Sequence, residues 1–512
     1  MRNASQSPET SEETTTVPSG KSLSGKLVRG SALYALANIG DKVISFFVLV
    51  PLYAKFLTPS AYGIIALSDS IGQFIVRGLG LSLDDSLRRL YFQYIDSAEE
   101  LKAYVSSVLW SVLGTIGLML VFSFTVVPAI MHRFVPNFEV PFYPYIALSV
   151  GAAIGLHVLL YRQTLYQVES APGKYLAVSA TSFLLTVSFA VTYLVIFRMG
   201  AYGMLLAKLL AAVGIAGICL YLMRRWFSGG WKWHYLRETL LLSFPLIPHY
   251  LTGYGLDVAD RFILARYRSI AEVGVYSLAY TIGKSMYMVG LSVCQAWSPT
   301  FFALARHGDA SKDRLGRLTS MIAIFLTWIA VTGSLAVEVF VVQFLDARYR
   351  GAAQVAPWIV GSFLFQGLYA LSMLSAMQAK RSIFLFASSS GAFAVNILLN
   401  FVLVPRYGMY GSAYANMIAF IVIAVLMYFF AQRLFHVPYR MGRISAALFV
   451  YLCVLGVTQW NSPWPCWIVN GITFVVATAV LYQLSGHNLR AIKAALRPGN
   501  GNAAEEKLID TE

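Results

Sequence analysis

The chain of 512 residues is 58% hydrophobic and only 12% charged, whereas soluble domains carry about 25% charged residues, so a water-soluble globule is excluded. Its net charge of +15 is joined to no nucleic-acid-binding module, and no nucleic-acid partner is expected. Apolar runs of about 20 residues, long enough to cross a hydrocarbon core, recur along the whole length. The expected fold class is all-α, a polytopic membrane protein.

In chain order, residues 1–29 are polar and Ser/Thr-rich and predict a disordered cytoplasmic tail. They lack the charged start, apolar core and cleavage site of a secretory signal peptide. Fourteen spans are predicted, at 30–56, 61–83, 104–130, 142–161, 175–197, 201–223, 240–264, 271–296, 319–345, 353–377, 383–404, 409–431, 442–459 and 464–484. They group as a six-helix bundle (30–223), a cytoplasmic linker (224–239), a second six-helix bundle (240–431), an additional helix pair (432–485) and a cytoplasmic tail (486–512). With both termini in the cytoplasm, most of the 39 Lys and Arg fall on that side, including Arg224, Arg225, Lys232 and Arg237, as the positive-inside rule expects. Four cysteines, Cys219, Cys294, Cys453 and Cys466, have no metal-ligand spacing and read as small core residues.

The stretch TPSAYGIIALSDSIG, from Thr58 to Gly72, returns as SIAEVGVYSLAYTIG, from Ser269 to Gly283. Gly63, Leu67 and Ile71-Gly72 match Gly274, Leu278 and Ile282-Gly283, and the first three matches lie close to one helical face. Further on, Gly80-Leu81-Ser82 matches Gly290-Leu291-Ser292. Leu160-Tyr161 matches Leu368-Tyr369, and Tyr202-Gly203 matches Tyr410-Gly411. A nearly constant offset at corresponding helices predicts two bundles related by a pseudo-twofold axis along the membrane normal, the parallel-repeat plan of transporters that rock about a central site.

Charges crowd spans 1, 2, 7 and 8, although a charge at mid-membrane costs about 2.5–3.5 kcal/mol on the translocon scale. Span 1 carries Asp41 and Lys42, and span 2 carries Asp69 and Arg77 with Asp84 and Asp85 at its end. Span 7 carries Asp257, Asp260 and Arg261, and span 8 carries Lys284. Arg77 and Asp84 lie near one face, so a salt bridge competes with a cavity role. Asp257 and Arg261 have the spacing of an intrahelical pair, and pairing or snorkelling outweighs ligand binding for Arg261. Lys42 has only Asp41 beside it, and Lys208 in LLAKLLAA has no acid nearby in sequence. These lysines, Lys284 and Arg77 are expected to line a wet cavity for an anionic substrate. Asp41, Asp69, Asp257, Asp260 and Glu338 are candidates for ion coupling, with interhelical pairing an equal reading for Glu338. His157 and His249 are expected to be satisfied by neighbours, and Pro245 and Pro248 to weaken the start of span 7. Many tyrosines mark span ends as an aromatic belt, whereas Tyr254 and Tyr287 are candidates to face the cavity instead, where rings can stack on sugars.

No phosphate loop, HExxH or GxSxG motif occurs, and Ser, His and Asp show no catalytic spacing. Neither an enzyme activity nor a cofactor is expected.

PLYAKFLTPSAYGIIAL (Pro51–Leu67), SFPLIPHYLTGYGLDVADRFILARYRSIAEVGVYSLAY (Ser243–Tyr280) and LNFVLVPRYGMYGSAYANMIA (Leu399–Ala419) together resemble bacterial polysaccharide-unit flippases. These are the O-antigen and exopolysaccharide transporters of the multidrug, oligosaccharidyl-lipid and polysaccharide exporter superfamily. The resemblance covers about 30–431, with Asp260-Arg261-Phe262 its most recognisable piece. It implies movement of an undecaprenyl-pyrophosphate-linked oligosaccharide across the cytoplasmic membrane, driven by an ion gradient. The partners it implies are that lipid-linked substrate, membrane lipids, and a polysaccharide polymerase with its assembly proteins. The final helix pair departs from the commonest twelve-span pattern and leaves the subfamily open. Multidrug exporters, lipid II flippases and, from another class, a membrane-embedded polysaccharide polymerase are the competing readings.

Overall fold

A computed structural model describes residues 48–134, 139–244, 247–306, 308–379, 381, 383–460 and 465–485. Asp41, Lys42, Pro245, both tails and the side chain of His249 lie outside the described residues. The regular elements described are helical. The chain runs through α1 (48–56), α2 (Pro59–Leu79), α3 (Leu83–Leu90), α4 (Ala98–Phe134), α5 (Ala147–Val168) and α6 (Pro172–Ala190). Then come α7 (Gly200–Met223), α8 (Trp233–Ser243), α9 (Ile247–Tyr267), α10 (Ile270–Ala305) and α11 (Lys312–Phe344). The last are α12 (Gly351–Gln378), α13 (Ile383–Tyr407), α14 (Met409–Leu434), α15 (Met441–Thr458) and α16 (Cys466–Leu484).

Eleven described helices are long and apolar enough to cross a membrane, and the bent pair of α2 and the stretch from Leu83 makes a twelfth. Fourteen is not reached among the described residues. The first predicted span lies mostly outside them, and Asp257, Asp260, Arg261 and Arg266 interrupt the apolar run of α9.

The repeated stretch is a capped helix start in both copies. Thr58 accepts a hydrogen bond from the Ala61 amide at 3.2 Å, and Ser269 accepts one from the Glu272 amide at 3.3 Å, so each side chain satisfies an orphan N–H. The two helices cross where the repeated glycines meet. A Cβ on Gly63 would overlap the Ile270 carbonyl, and a Cβ on Gly274 would overlap the Pro59 carbonyl. Leu67 and Leu278 are fully buried behind the crossing. Gly72 lets α2 lie against α5 at Ser149, and Gly283 lets α10 lie against α12 at Ile359. The face is therefore present twice because its glycines pack on each other and its next glycines seat equivalent neighbours. Helix pairs that correspond in the repeat pack alike: α2 on α5 and α5 on α7, then α10 on α12 and α12 on α14.

Three local outcomes differ from the sequence expectation. Span 2 is not continuous to residue 83: α2 stops at Leu79, Leu81 (φ +56°) and Ser82 (φ +49°) take left-handed backbone, and the chain bends by 47°. The same Gly-Leu-Ser tripeptide at Gly290–Ser292 lies inside the unbroken α10. Span 7 does not begin at 240, because 240–243 end the separate helix α8; Pro248, at the second position of α9, sits where a missing N–H costs nothing. The linker is no free loop. Ser106 and Trp110 of α4 donate to the Phe227 carbonyl at 3.2 and 3.3 Å, and the Lys232 amide donates to Ser107 Oγ at 2.9 Å. Tyr94 donates to Glu238, and Tyr94, Tyr104 and Tyr235 pack ring against ring.

The last helix pair docks on α11 through buried polar contacts. Tyr451 donates to the Pro357 carbonyl at 2.7 Å and lies 3.1 Å from Ser334 Oγ. Trp328 donates to Thr478 at 3.1 Å, and Asn470 donates to Glu338 at 2.9 Å. Of the cysteines, Cys219 and Cys294 are buried as expected, whereas Cys453 is exposed on α15.

Candidate functional site

The predicted charges converge where α2, α9 and α10 meet, with α5 and α7 behind α2. Lys208 of α7 pairs with Asp69 of α2, whose other oxygen accepts from Ser149 of α5 at 2.5 Å. Lys284 of α10 donates to Asp257 of α9 at 2.8 Å, and Tyr280 donates to the second oxygen of that carboxylate at 2.9 Å. Lys208, without an acid near it in sequence, thus finds one across the bundle. The residues of both pairs keep a fifth to two-fifths of their side-chain surface exposed.

Asp260 is fully buried, accepting from the Tyr276 hydroxyl and from the Arg261 amide at 2.8 Å. The Arg261 guanidinium lies over the Tyr280 ring at 4.6 Å and donates to the Asp257 carbonyl at 3.2 Å. Its Nε is buried with no partner among the described residues. Arg77 lies over the Tyr254 ring at 5.0 Å. Tyr254 in turn donates to the Ser70 carbonyl across to α2 at 3.4 Å. Tyr254 and Arg261 are seven residues apart and share a face of α9.

Among the described residues, neither Arg77 nor Arg261 has a carboxylate at ion-pair distance, whereas Lys208 and Lys284 do. The sequence suggested an Arg77–Asp84 bridge along a straight helix. The bend after Gly80 prevents it, and Asp84 faces Arg88 at 3.6 Å instead. The intrahelical Asp257–Arg261 pair is replaced by the contact to Lys284, because the carboxylate turns toward α10. Glu338 stands apart, paired with Asn470. Tyr287 stacks on Phe363 with ring centres 5.2 Å apart.

Two features escaped the sequence analysis. A cavity of about 300 Å³ lies beside the bend, lined by Gln73, Arg77, Asp84, Asp85, His157 and Tyr250 among others. Asn396, Asn400, Asn416 and Ser412 are fully buried in α13 and α14 and retain unpaired polar atoms among the described residues. Amides in apolar runs carry no charge signal, which is why they passed unnoticed. No cluster of three or more metal-binding side chains occurs among the described residues.

Known proteins set this geometry in context. The solved lipid II flippase MurJ, in an inward closed conformation, is similar with a TM-score of 0.68 at 13% identity, over 88% of this chain and 99% of its own. The Vibrio cholerae MATE transporter VcmN, in a mutant form, is similar with a TM-score of 0.55 at 15% identity, over 81% and 98%. An inward-facing multidrug resistance MATE transporter of the MOP superfamily follows, with a TM-score of 0.50 at 13% identity, over 81% and 96%. At such identities the likeness establishes the fold. A comparison with curated protein sequences gives no match. The profile of the family described as polysaccharide biosynthesis protein matches residues 27–305, more than half of the chain. A multi-pass helical body, a charged seam between its helices and this match together place the chain in the polysaccharide biosynthesis protein family, with the fold of MOP-superfamily transporters.

Proposed function

We propose that this chain is a flippase carrying an undecaprenyl-pyrophosphate-linked oligosaccharide repeat unit across the bacterial cytoplasmic membrane for O-antigen or exopolysaccharide assembly. In this reading two halves, 30–223 and 240–431, alternate access to the seam of α2, α9 and α10, with both termini in the cytoplasm. The observation that carries it is the pair of guanidiniums, Arg77 and Arg261, held on tyrosine rings without a carboxylate partner among the described residues. A ring face fixes such a cation by about 0.5–2 kcal/mol, and Arg261 Nε is left without a partner among the described residues. Guanidinium forks match phosphate oxygens, and a pyrophosphate entering the seam supplies the missing acceptors. The glycan stays in the wet cleft, and the polyprenyl tail stays in lipid.

Ion coupling follows from the neighbouring pairs. A proton or cation taken up at Asp69 or Asp257 releases Lys208 or Lys284 toward the substrate, and Asp260 and Glu338 are further acceptors. Asp41 and Lys42, outside the described residues, keep the roles expected from the sequence, one for ion coupling and one for the anion. A polysaccharide polymerase would act on the delivered units at the outer face.

Proteoliposomes loaded with a fluorescent polyprenyl-pyrophosphate oligosaccharide test the reading. Movement of the label between leaflets at constant glycan length is expected. Export of a cationic drug with a stationary glycolipid would assign a multidrug exporter instead, glycan growth would assign a polymerase, and movement of lipid II alone would assign a lipid II flippase.

A further inference from the structure

The sequence repeat makes a comparison possible between two places in the molecule. In the first, Val76, Arg77 and Gly80 of α2 meet Leu156 and His157 of α5 around the cavity of about 300 Å³. Their counterparts 208 to 210 residues later include Met286, Tyr287 and Gly290 of α10 and Leu364 of α12. There Phe363 and Leu326 close in, and the space shrinks to about 20 Å³ with an apolar lining. One position in the repeat is thus filled with hydrocarbon in one copy and left hollow and polar in the other. Packing alone does not demand the polar version.

The hollow is made by the bend. Where α10 continues unbroken, α2 breaks at Leu81 and Ser82, and α3 turns aside so that Asp84 and Asp85, each within 4 Å of Arg88, line the same space as Arg77 and Gln73. His157 on its wall is 6% exposed, and its Nε2 has no hydrogen-bond partner among the described residues. Its ring lies edge-on to Tyr161 at 5.0 Å, which fixes its direction. The lining therefore mixes acceptors (two carboxylates, of which Asp85 already accepts from the Tyr250 hydroxyl) with donors (a guanidinium and an amide), beside an imidazole nitrogen without a partner among the described residues. An anionic group would meet the carboxylates, and an apolar one would strand every polar atom. A ring bearing several hydroxyls offers a donor and an acceptor at each position and suits both sets.

We propose that this cavity is a subsite for one hydroxyl-bearing sugar ring, the ring next to the pyrophosphate that Arg77 contacts at the cavity's edge. It rests on the glycolipid reading above and adds where, and by which residues, the sugar is felt. At about 300 Å³ the space matches the small end of ligand sites, roughly 300–1,000 Å³, and admits one ring and not a chain.

Full-length protein in nanodiscs is titrated with undecaprenyl pyrophosphate and with undecaprenyl-pyrophosphate-linked N-acetylglucosamine. Wild type is expected to bind the sugar-bearing lipid about tenfold more tightly, the worth of one or two good hydrogen bonds. Leu156→Trp, which fills the space from an exposed position, and Gln73→Leu, which removes an uncharged polar contact, should each erase that preference while bare-lipid affinity and melting temperature stay put. A preference absent in wild type, or one that survives both substitutions, overturns the subsite and leaves a water-filled void. Failure to bind either lipid overturns the cargo reading itself, and the subsite with it.

Discussion

At the scale of single residues, the seam separates two kinds of cation. Arg77 and Arg261 rest on tyrosine rings, while Lys208 and Lys284 are held by carboxylates. Substitution of either arginine by Ala should lower glycolipid transport by about tenfold or more, the loss of one charge-assisted contact, without lowering protein yield; transport rate per reconstituted molecule checks this. Lys208→Ala acts differently, since it leaves Asp69 with its charge and one partner fewer. Its yield should fall, and the double change Lys208→Met with Asp69→Asn should recover it, which a double-mutant cycle in detergent stability measures. The charges themselves were legible in the sequence because each interrupts an apolar run. Their partners were not: Asp69 and Lys208 lie on different helices, and nothing in a local spacing announces a contact made across a bundle. Arg261 shows the converse error, since its ideal spacing to Asp257 suggested a pair that the turn of the carboxylate toward Lys284 dissolves.

At the scale of helices, glycines decide which elements approach. Gly274→Val places branched carbon against the Pro59 carbonyl, and overpacking of this kind costs about 1–3 kcal/mol. A lowered melting temperature is expected, and none for Gly114→Ala, where a Cβ would meet nothing within 4 Å and alanine suits a helix interior better than glycine. The sequence marked this helix pair through its repeat and placed the spans from hydropathy. It gave no warning that α2 breaks, because the identical Gly-Leu-Ser stays helical in α10; the difference lies in what packs around the tripeptide. The docked linker was hidden for a related reason. Its aromatic and basic residues mark a membrane interface in any case, and only the contacts of Trp110, Tyr94 and Glu238 reveal a fastened strap.

At the scale of the molecule, the crossing of α2 and α10 joins the two halves of the repeat. Tyr349 donates to the Leu57 carbonyl at 3.1 Å, and the Tyr62 hydroxyl lies 3.3 Å from Thr281 Oγ. Under the proposed alternating access these contacts part. In a background with the native cysteines replaced, Tyr62→Cys and Thr281→Cys joined by a short bifunctional thiol reagent should abolish transport, and each single cysteine should not. Retained transport in the joined protein would exclude motion at this crossing.

The meeting of Gly63 with Gly274 carries a consequence for descent. A residue that touches its own counterpart sits on the symmetry axis, and in a two-subunit ancestor one mutation there would have struck both sides of the contact at once. In a single chain that penalty does not arise: each copy can change alone, and one can hold a chamber where its counterpart is filled. Polypeptides divided after Ser243, beyond the strap, should then reassemble when produced together, through that same contact.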